Sequence, residues 1–184
     1  MLLTALFLLG LLAVAYSQWT KPLREAERAL ARGETEAGLD AYAAAEARYG
    51  RFTVTRYLFA AWHADAVYNQ LFLLYRAGDY PAVIDKAAIA PPGAAPRFWA
   101  GTAFVARALA EQNSEMRLRW VTAAEQELGQ ALKAAPDDWN TKFNYEIAAR
   151  LGAGLRREPT MPKDLLMQLL RPTPAETAAP RKVG

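Results

Sequence analysis

The sequence predicts an all-α fold, on three observations. Ala, Leu, Glu, Arg and Gln dominate the chain, and these are among the better helix formers. β-branched residues are scarce, and the one strand-like run, Phe52-Thr53-Val54-Thr55, has no second run to pair with. Glycine and proline recur at intervals suited to helical hairpins.

The first element is an apolar helix. Leu2 to Tyr16 carries no charge, and no Lys or Arg appears before Lys21. A spanning helix needs about 17–25 apolar residues for a ~30 Å hydrocarbon core. Leu2 to Trp19 reaches that length, with Tyr16 and Trp19 placed for an interfacial aromatic belt and Lys21 and Arg24 for the headgroup zone. A cleaved signal peptide is the competing reading, with Ala13-Val14-Ala15 as its cleavage site, but its basic leading region is missing. A buried core helix is the third. The expectation is an uncleaved single-pass anchor over residues 1–19. Lys21, Arg24, Arg28 and Arg32 follow it, and basic flanks favour the cytoplasmic side.

About 165 residues remain, enough for one domain with a sizeable core. The expected division is a helical domain over 20–155 and a proline-rich tail over 156–184. Within it, helices are expected over 22–32, 35–48, 53–77, 79–88, 95–112, 114–134 and 138–153, with a weaker one near 162–170. Gly33, Gly50, Gly78 and Gly93 mark the breaks. Pro22, Pro81 and Pro96 fall in or near first turns, where proline costs no helical hydrogen bond.

Three stretches have the form of turns inside or between repeated helical hairpins. In Tyr75-Arg76-Ala77-Gly78-Asp79-Tyr80-Pro81-Ala82-Val83 a helix ends at a glycine and an acid stands ready to cap the next. Leu30 to Gly38 repeats the pattern around Gly33 and Glu34. In Ala131 to Trp139 an Ala/Leu helix stops before Pro136, and Asp137 or Asp138 caps its successor. These turns resemble those of tetratricopeptide repeats (TPR), which implies a TPR-like solenoid of helical hairpins. The spacing departs from the regular ~34-residue period, and helix 114–134 is longer than the motif needs. A helical array without repeat ancestry stays open.

Asp137-Asp138-Trp139-Asn140-Thr141-Lys142-Phe143-Asn144-Tyr145-Glu146-Ile147-Ala148 is the most specific stretch. It resembles the P-D-D…K/R-Y-N-L-E-x-A segment that closes the repeat region of TPR proteins in MoxR and von Willebrand factor A (VWA) operons. Phe143 takes the tyrosine place and Tyr145 the leucine place, and Asn144 and Glu146 are retained. With the amino-terminal apolar block, the chain looks like MxaK-type accessory proteins of methanol dehydrogenase operons. The resemblance implies a membrane-bound adaptor that helps mature a periplasmic, calcium-dependent quinoprotein. It implies AAA+ ATPase and VWA-domain partners in a hetero-oligomer. It also favours a periplasmic domain on the inner membrane, against the charge flank. The other reading is a structural subunit or assembly factor of another envelope or secretion complex.

No chemistry of its own is expected of the chain. It holds one histidine, His63, and no cysteine, so no His-rich or thiolate zinc site forms. Asp65 is too close to His63 in sequence to face it on a helix. Gly152-Ala153-Gly154 lacks the strand and spacing of a nucleotide loop, and no calcium loop is present. No cofactor is expected. The net charge of +3, with no basic cluster on one helix face, is no nucleic-acid footprint.

Partner contacts are expected instead. Most aromatics recur at helical spacing and are expected in the core, with some left on an interaction surface. Asn144, between Phe143 and Tyr145, is a modest helix former. It is expected in a buried polar contact that locks the last hairpin, or at a partner. Leu165-Leu166-Met167-Gln168-Leu169-Leu170 is too short to stand alone as a helix. It caps the domain, enters a partner's groove or touches the membrane. Leu165, Leu166, Leu169 and Leu170 join Phe143, Asn144 and Tyr145 as candidate partner-binding residues. Residues 171–184 are expected to be disordered.

Overall fold

The computed structural model describes residues 2–170, apart from the side chains of Leu2, Leu3, Ala5, Leu12, Ala15 and Lys163. The tail expected to be disordered lies outside the described residues. Within them the fold is all-α: α1 (Leu2–Ala31), α2 (Thr35–Gly50), α3 (Thr53–Leu58), α4 (Ala60–Arg76), α5 (Tyr80–Ile89), α6 (Ala94–Ala110), α7 (Ser114–Ala134), α8 (Trp139–Arg157) and α9 (Lys163–Leu169). The chain divides into two compact units. The first ends at Asp79 and takes back Ile89–Pro91, and the second holds Tyr80–Ala88 and continues from Pro92.

In the first unit the apolar block and the expected helix 22–32 are one helix. Pro22 is buried inside α1, not in a first turn. It lacks the N–H that the Gln18 carbonyl would take one turn earlier. The Arg48 guanidinium, from α2, donates to that carbonyl instead, and the Tyr49 hydroxyl donates to the Trp19 carbonyl at 2.9 Å. The two bonds pin the end of α2 beside residues 18 and 19. The spanning anchor expected over residues 1–19 is not supported: among the described residues, no helix is long and apolar enough to cross a membrane. Leu6, Phe7, Leu8, Leu9, Leu11 and Val14 are each more than half exposed.

Small residues let these helices approach. Ala26, Ala45 and Ala66 are fully buried together with Tyr49 and Leu73, and a Cβ at Gly38 would stand 3.2 Å from Leu73 Cδ1. Aromatic rings fill one end: Phe59 stacks on Trp19 (5.0 Å) and on Trp62 (5.2 Å), with Tyr49 tilted against both Phe59 and Trp62. Sequence alone predicts one helix over 53–77. The chain breaks it at Phe59 (φ −113°, ψ 29°), where the ring turns into this stack. The hydrogen bonds Phe59 N–H to Thr55 O and His63 N–H to Phe59 O, both 2.9 Å, bridge the break.

Both glycine turns form as expected. Gly33 (φ +77°) and Gly78 (φ +78°) take the left-handed conformation. The Glu34 N–H reaches back to Ala29 O and the Asp79 N–H to Leu74 O, each at 3.0 Å, which is the Schellman closure. Glu34 does not cap α2 with its side chain. Its carboxylate takes a two-pronged bond from Arg32, 2.7 Å on each arm, because that guanidinium sits two residues away and supplies charged donors. No atom obstructs a Cβ at either glycine, so substitution tests backbone strain alone. Gly33→Ala and Gly78→Ala are each expected to cost about 1–2 kcal/mol. Asn at either site is expected to cost less, because it tolerates this conformation. Urea midpoints of the three variants at one site check the order.

The second unit is built on α6, α7 and α8. α6 and α7 approach closely at Gly101, where an added Cβ would meet Leu128 Cγ at 2.5 Å and the Leu128 backbone nitrogen at 3.1 Å. Ala124, Leu128 and Ala148 form a buried layer beside Phe98, Phe104 and Val105. A second layer joins Ala108, Val121, Leu151, Leu155 and Leu166. Phe104 stacks on Trp120 (5.6 Å), and Arg107 lies 4.3 Å above the Trp120 ring.

Candidate partner-binding surfaces

The segment singled out by sequence forms the start of α8. Asp138 is its N-cap, and its carboxylate accepts from the backbone N–H of Asn140 (3.3 Å) and Thr141 (3.1 Å) and from the Thr141 hydroxyl. These bonds, the hydroxyl first, hold the Asp138 carboxyl below the usual aspartate range. A depressed carboxyl contributes stability that is present above its unfolded value and lost as pH falls through the folded one. Asp138→Ala is therefore expected to cost about 1 kcal/mol near neutrality. The gap to wild type should close below about pH 4, and denaturation of both proteins across pH 3–7 would show it.

From this cap, Trp139 and Phe143 project four residues apart on one face of α8. Trp139 is 74% exposed and Phe143 49%. Tyr145 points elsewhere. Its ring packs over α7 at Gly129, where a Cβ would stand 3.4 Å from Tyr145 Cε2, and it stays 37% exposed. Asn144 corrects the sequence reading. Its amide donates to Asn140 O of its own helix at 2.8 Å, so it makes no buried bond to a neighbouring helix. A short amide one turn from a carbonyl bonds back locally. Glu146, also retained in the resemblance, pairs with Arg150 at 2.7 Å.

The apolar turn near the end takes the first of its three alternatives and packs on the domain. Leu166 is 1% exposed and sits in the layer with Val121, Leu151 and Leu155, while Met161, Leu169 and Leu170 pack around it. Leu169 Cδ1 fits because residue 154 is glycine: a Cβ there would approach it to 2.7 Å. The Arg117 guanidinium fastens the preceding loop, donating to Met161 O (2.9 Å) and to Glu111 O (2.8 and 3.1 Å). Leu166 is thus a core residue and not a partner contact, while Leu169 and Leu170 are half-buried against the same layer. Leu165 (42% exposed) and Met167 (46%) remain outward.

Sequence reasoning missed a further surface in the first unit. Val54, Tyr57 and Leu58 lie on one face of α3, and with Phe52 they are 57–84% exposed. Burying a side chain of this kind yields about 1.5–3 kcal/mol, which this corner forgoes. Beside it a cleft of about 420 Å³ is lined by Gln18, Trp19, Ala47, Arg48, Arg51 and Phe52. The 54, 57, 58 spacing was visible in the sequence, but it read as the first turn of a long core helix. His63 lines another open cleft with Glu46, Arg51 and Arg56. Among the described residues, no three His, Cys, Asp or Glu side chains gather as metal ligands would.

Compared with family models, characterised proteins and solved structures, the chain matches none.

Proposed function

We propose that this chain is a membrane-attached, TPR-like adaptor in a maturation complex of the MoxR AAA+ and VWA type, without catalysis of its own. Trp139 and Phe143 carry the reading. Both stand outward from α8, within the very segment whose sequence resembles those adaptors, and exposed aromatics are enriched at protein interfaces. The client in this reading is a periplasmic quinoprotein methanol dehydrogenase, and the helical domain lies on the periplasmic face of the inner membrane. Attachment rests on the uncharged run Leu2 to Tyr16 and on the outward side chains of Leu6, Phe7, Leu8, Leu9, Leu11 and Val14. The two glycine-closed turns support the TPR-like reading.

A photo-crosslinking amino acid in place of Phe143, in cells of the source organism, tests the partner. Covalent capture of an AAA+ or VWA-domain protein is the expected result. Capture of a secretion or envelope component would replace this reading with the structural-subunit one. Resistance of the chain to carbonate extraction tests the attachment separately.

A further inference from the structure

We infer that the corner formed by the end of α2 and by α3 rests on an anionic lipid surface, with Phe52, Val54, Tyr57 and Leu58 in the interface and Arg51 and Arg56 on phosphate groups. This rests on the reading of α1 as the membrane attachment. Arg48 and Tyr49 bond to the carbonyls of Gln18 and Trp19, so α2 returns to the level at which the uncharged run of α1 ends. The chain then enters α3 at once. The corner therefore lies where that run meets the headgroups.

Composition agrees with that position. From Ala47 to Leu58 the chain has three arginines, Arg48, Arg51 and Arg56, and no acid; Glu46, one residue earlier, lines a cleft with Arg51 and Arg56 and accepts a bond from Gln70 at 2.8 Å, so one carboxylate stands against three guanidiniums. Basic residues beside an apolar helix are drawn to anionic lipid. Aromatic rings with a polar or cationic neighbour suit the interface, and here the Arg51 guanidinium lies 5.3 Å over the Phe52 ring. The cleft beside Trp19 is flanked by the Arg48 and Arg51 guanidiniums, which gives it the charge to take a headgroup phosphate. The local fold presents the apolar face outward: the Thr55 hydroxyl donates to Tyr49 O at 3.1 Å and accepts from the Phe52 N–H at 3.2 Å. That turns α3 by its polar residue and leaves positions 54, 57 and 58 uncovered.

The chain has no cysteine, so Val54→Cys places a single environment-sensitive fluorophore on this face. The full chain is reconstituted in phosphatidylcholine vesicles with and without phosphatidylglycerol, and quenching by lipids spin-labelled near the headgroup is read. Gln126→Cys, on the exposed side of α7, is the control. Several-fold stronger quenching at position 54 with phosphatidylglycerol, lost in Arg51→Gln/Arg56→Gln, is expected. Carbonate extraction of the same vesicles reports on α1. A probe in water at position 54, on a chain that resists carbonate, overturns this inference and leaves the attachment standing. Release by carbonate with quenching intact overturns the attachment and leaves the corner. Equal quenching in both lipids overturns the role of the arginines. Shielding in detergent that rises with protein concentration assigns the face to a second copy and overturns the lipid.

Discussion

Gly101→Ala is expected to destabilise the second unit by about 2 kcal/mol, within the ~1–3 kcal/mol range for inserting a methyl group into a packed core. Alanine ordinarily gains about 1 kcal/mol over glycine in a helix, so a net loss would be a packing effect. The added methyl would stand 2.5 Å from Leu128 Cγ. Leu128 is fully buried, and its own backbone nitrogen lies 3.1 Å from the same point. Rotating the leucine therefore does not clear the contact, and α6 and α7 must separate. The double variant Gly101→Ala/Leu128→Ala supplies the check. Leu128→Ala alone leaves a cavity and should cost about 2–5 kcal/mol. The methyl at 101 enters that cavity, so the double variant should be clearly more stable than the sum of the two losses. Urea denaturation followed by circular dichroism measures all three. Simple additivity would mean that α6 and α7 do not meet at this point.

This close approach was not legible in the sequence, where Gly101 is one small residue in an alanine-rich helix. Punctuation was legible. Gly33 and Gly78 end helices because only a residue without Cβ takes that backbone freely, and this requirement is local. Asp138 was legible as a cap for the same reason: its partners, Asn140 and Thr141, lie within the next three residues. The bounds of α7, Ser114–Ala134, follow from Asn113, whose side chain accepts from the Met116 N–H at 2.9 Å, and from Pro136 beyond its end. The failures are tertiary. The break at Phe59 exists because Trp19 and Trp62 receive its ring, and Trp19 is forty residues away in sequence. Pro22 stays inside α1 because an arginine on another helix satisfies the carbonyl that proline leaves open.

The candidate site divides in the same way. Phe143 and Trp139 were found through their neighbours in sequence, and they are exposed. Asn144 was expected to reach across to another helix, and a bond within its own helix won. Exposure of Val54, Tyr57 and Leu58 follows from how Thr55 is held, which no periodicity encodes. The two-unit division was also hidden, since the alanine-rich pattern continues through Tyr80 without a change in composition.

Leu166→Asp is expected to detach α9 and open the end of the second unit, whereas Leu165→Asp should be close to neutral. The two leucines are adjacent in sequence and opposite in environment, 1% and 42% exposed. An unpaired carboxylate has no place beside Leu151, Leu155 and Val121, since burying such a charge costs far more than the segment gains by docking. A seven-residue helix does not persist alone, so α9 should lose its helicity on release. The loss is bounded by the docking energy of α9, on the order of the ~2–5 kcal/mol that one buried leucine contributes, with Met161, Leu169 and Leu170 released too. Arg117 would keep its bonds to Glu111 O, so the start of α7 should hold. Hydrogen exchange resolves the pattern: faster exchange in α9 and in the last turns of α8, with α6 and the first turn of α7 still protected. Leu165 tests the opposite role. If Leu165→Asp leaves stability intact but abolishes capture through position 143, the outer face of α9 belongs to the partner surface. If Leu166→Asp leaves exchange unchanged, α9 does not close the domain, and Leu166 returns to the partner surface.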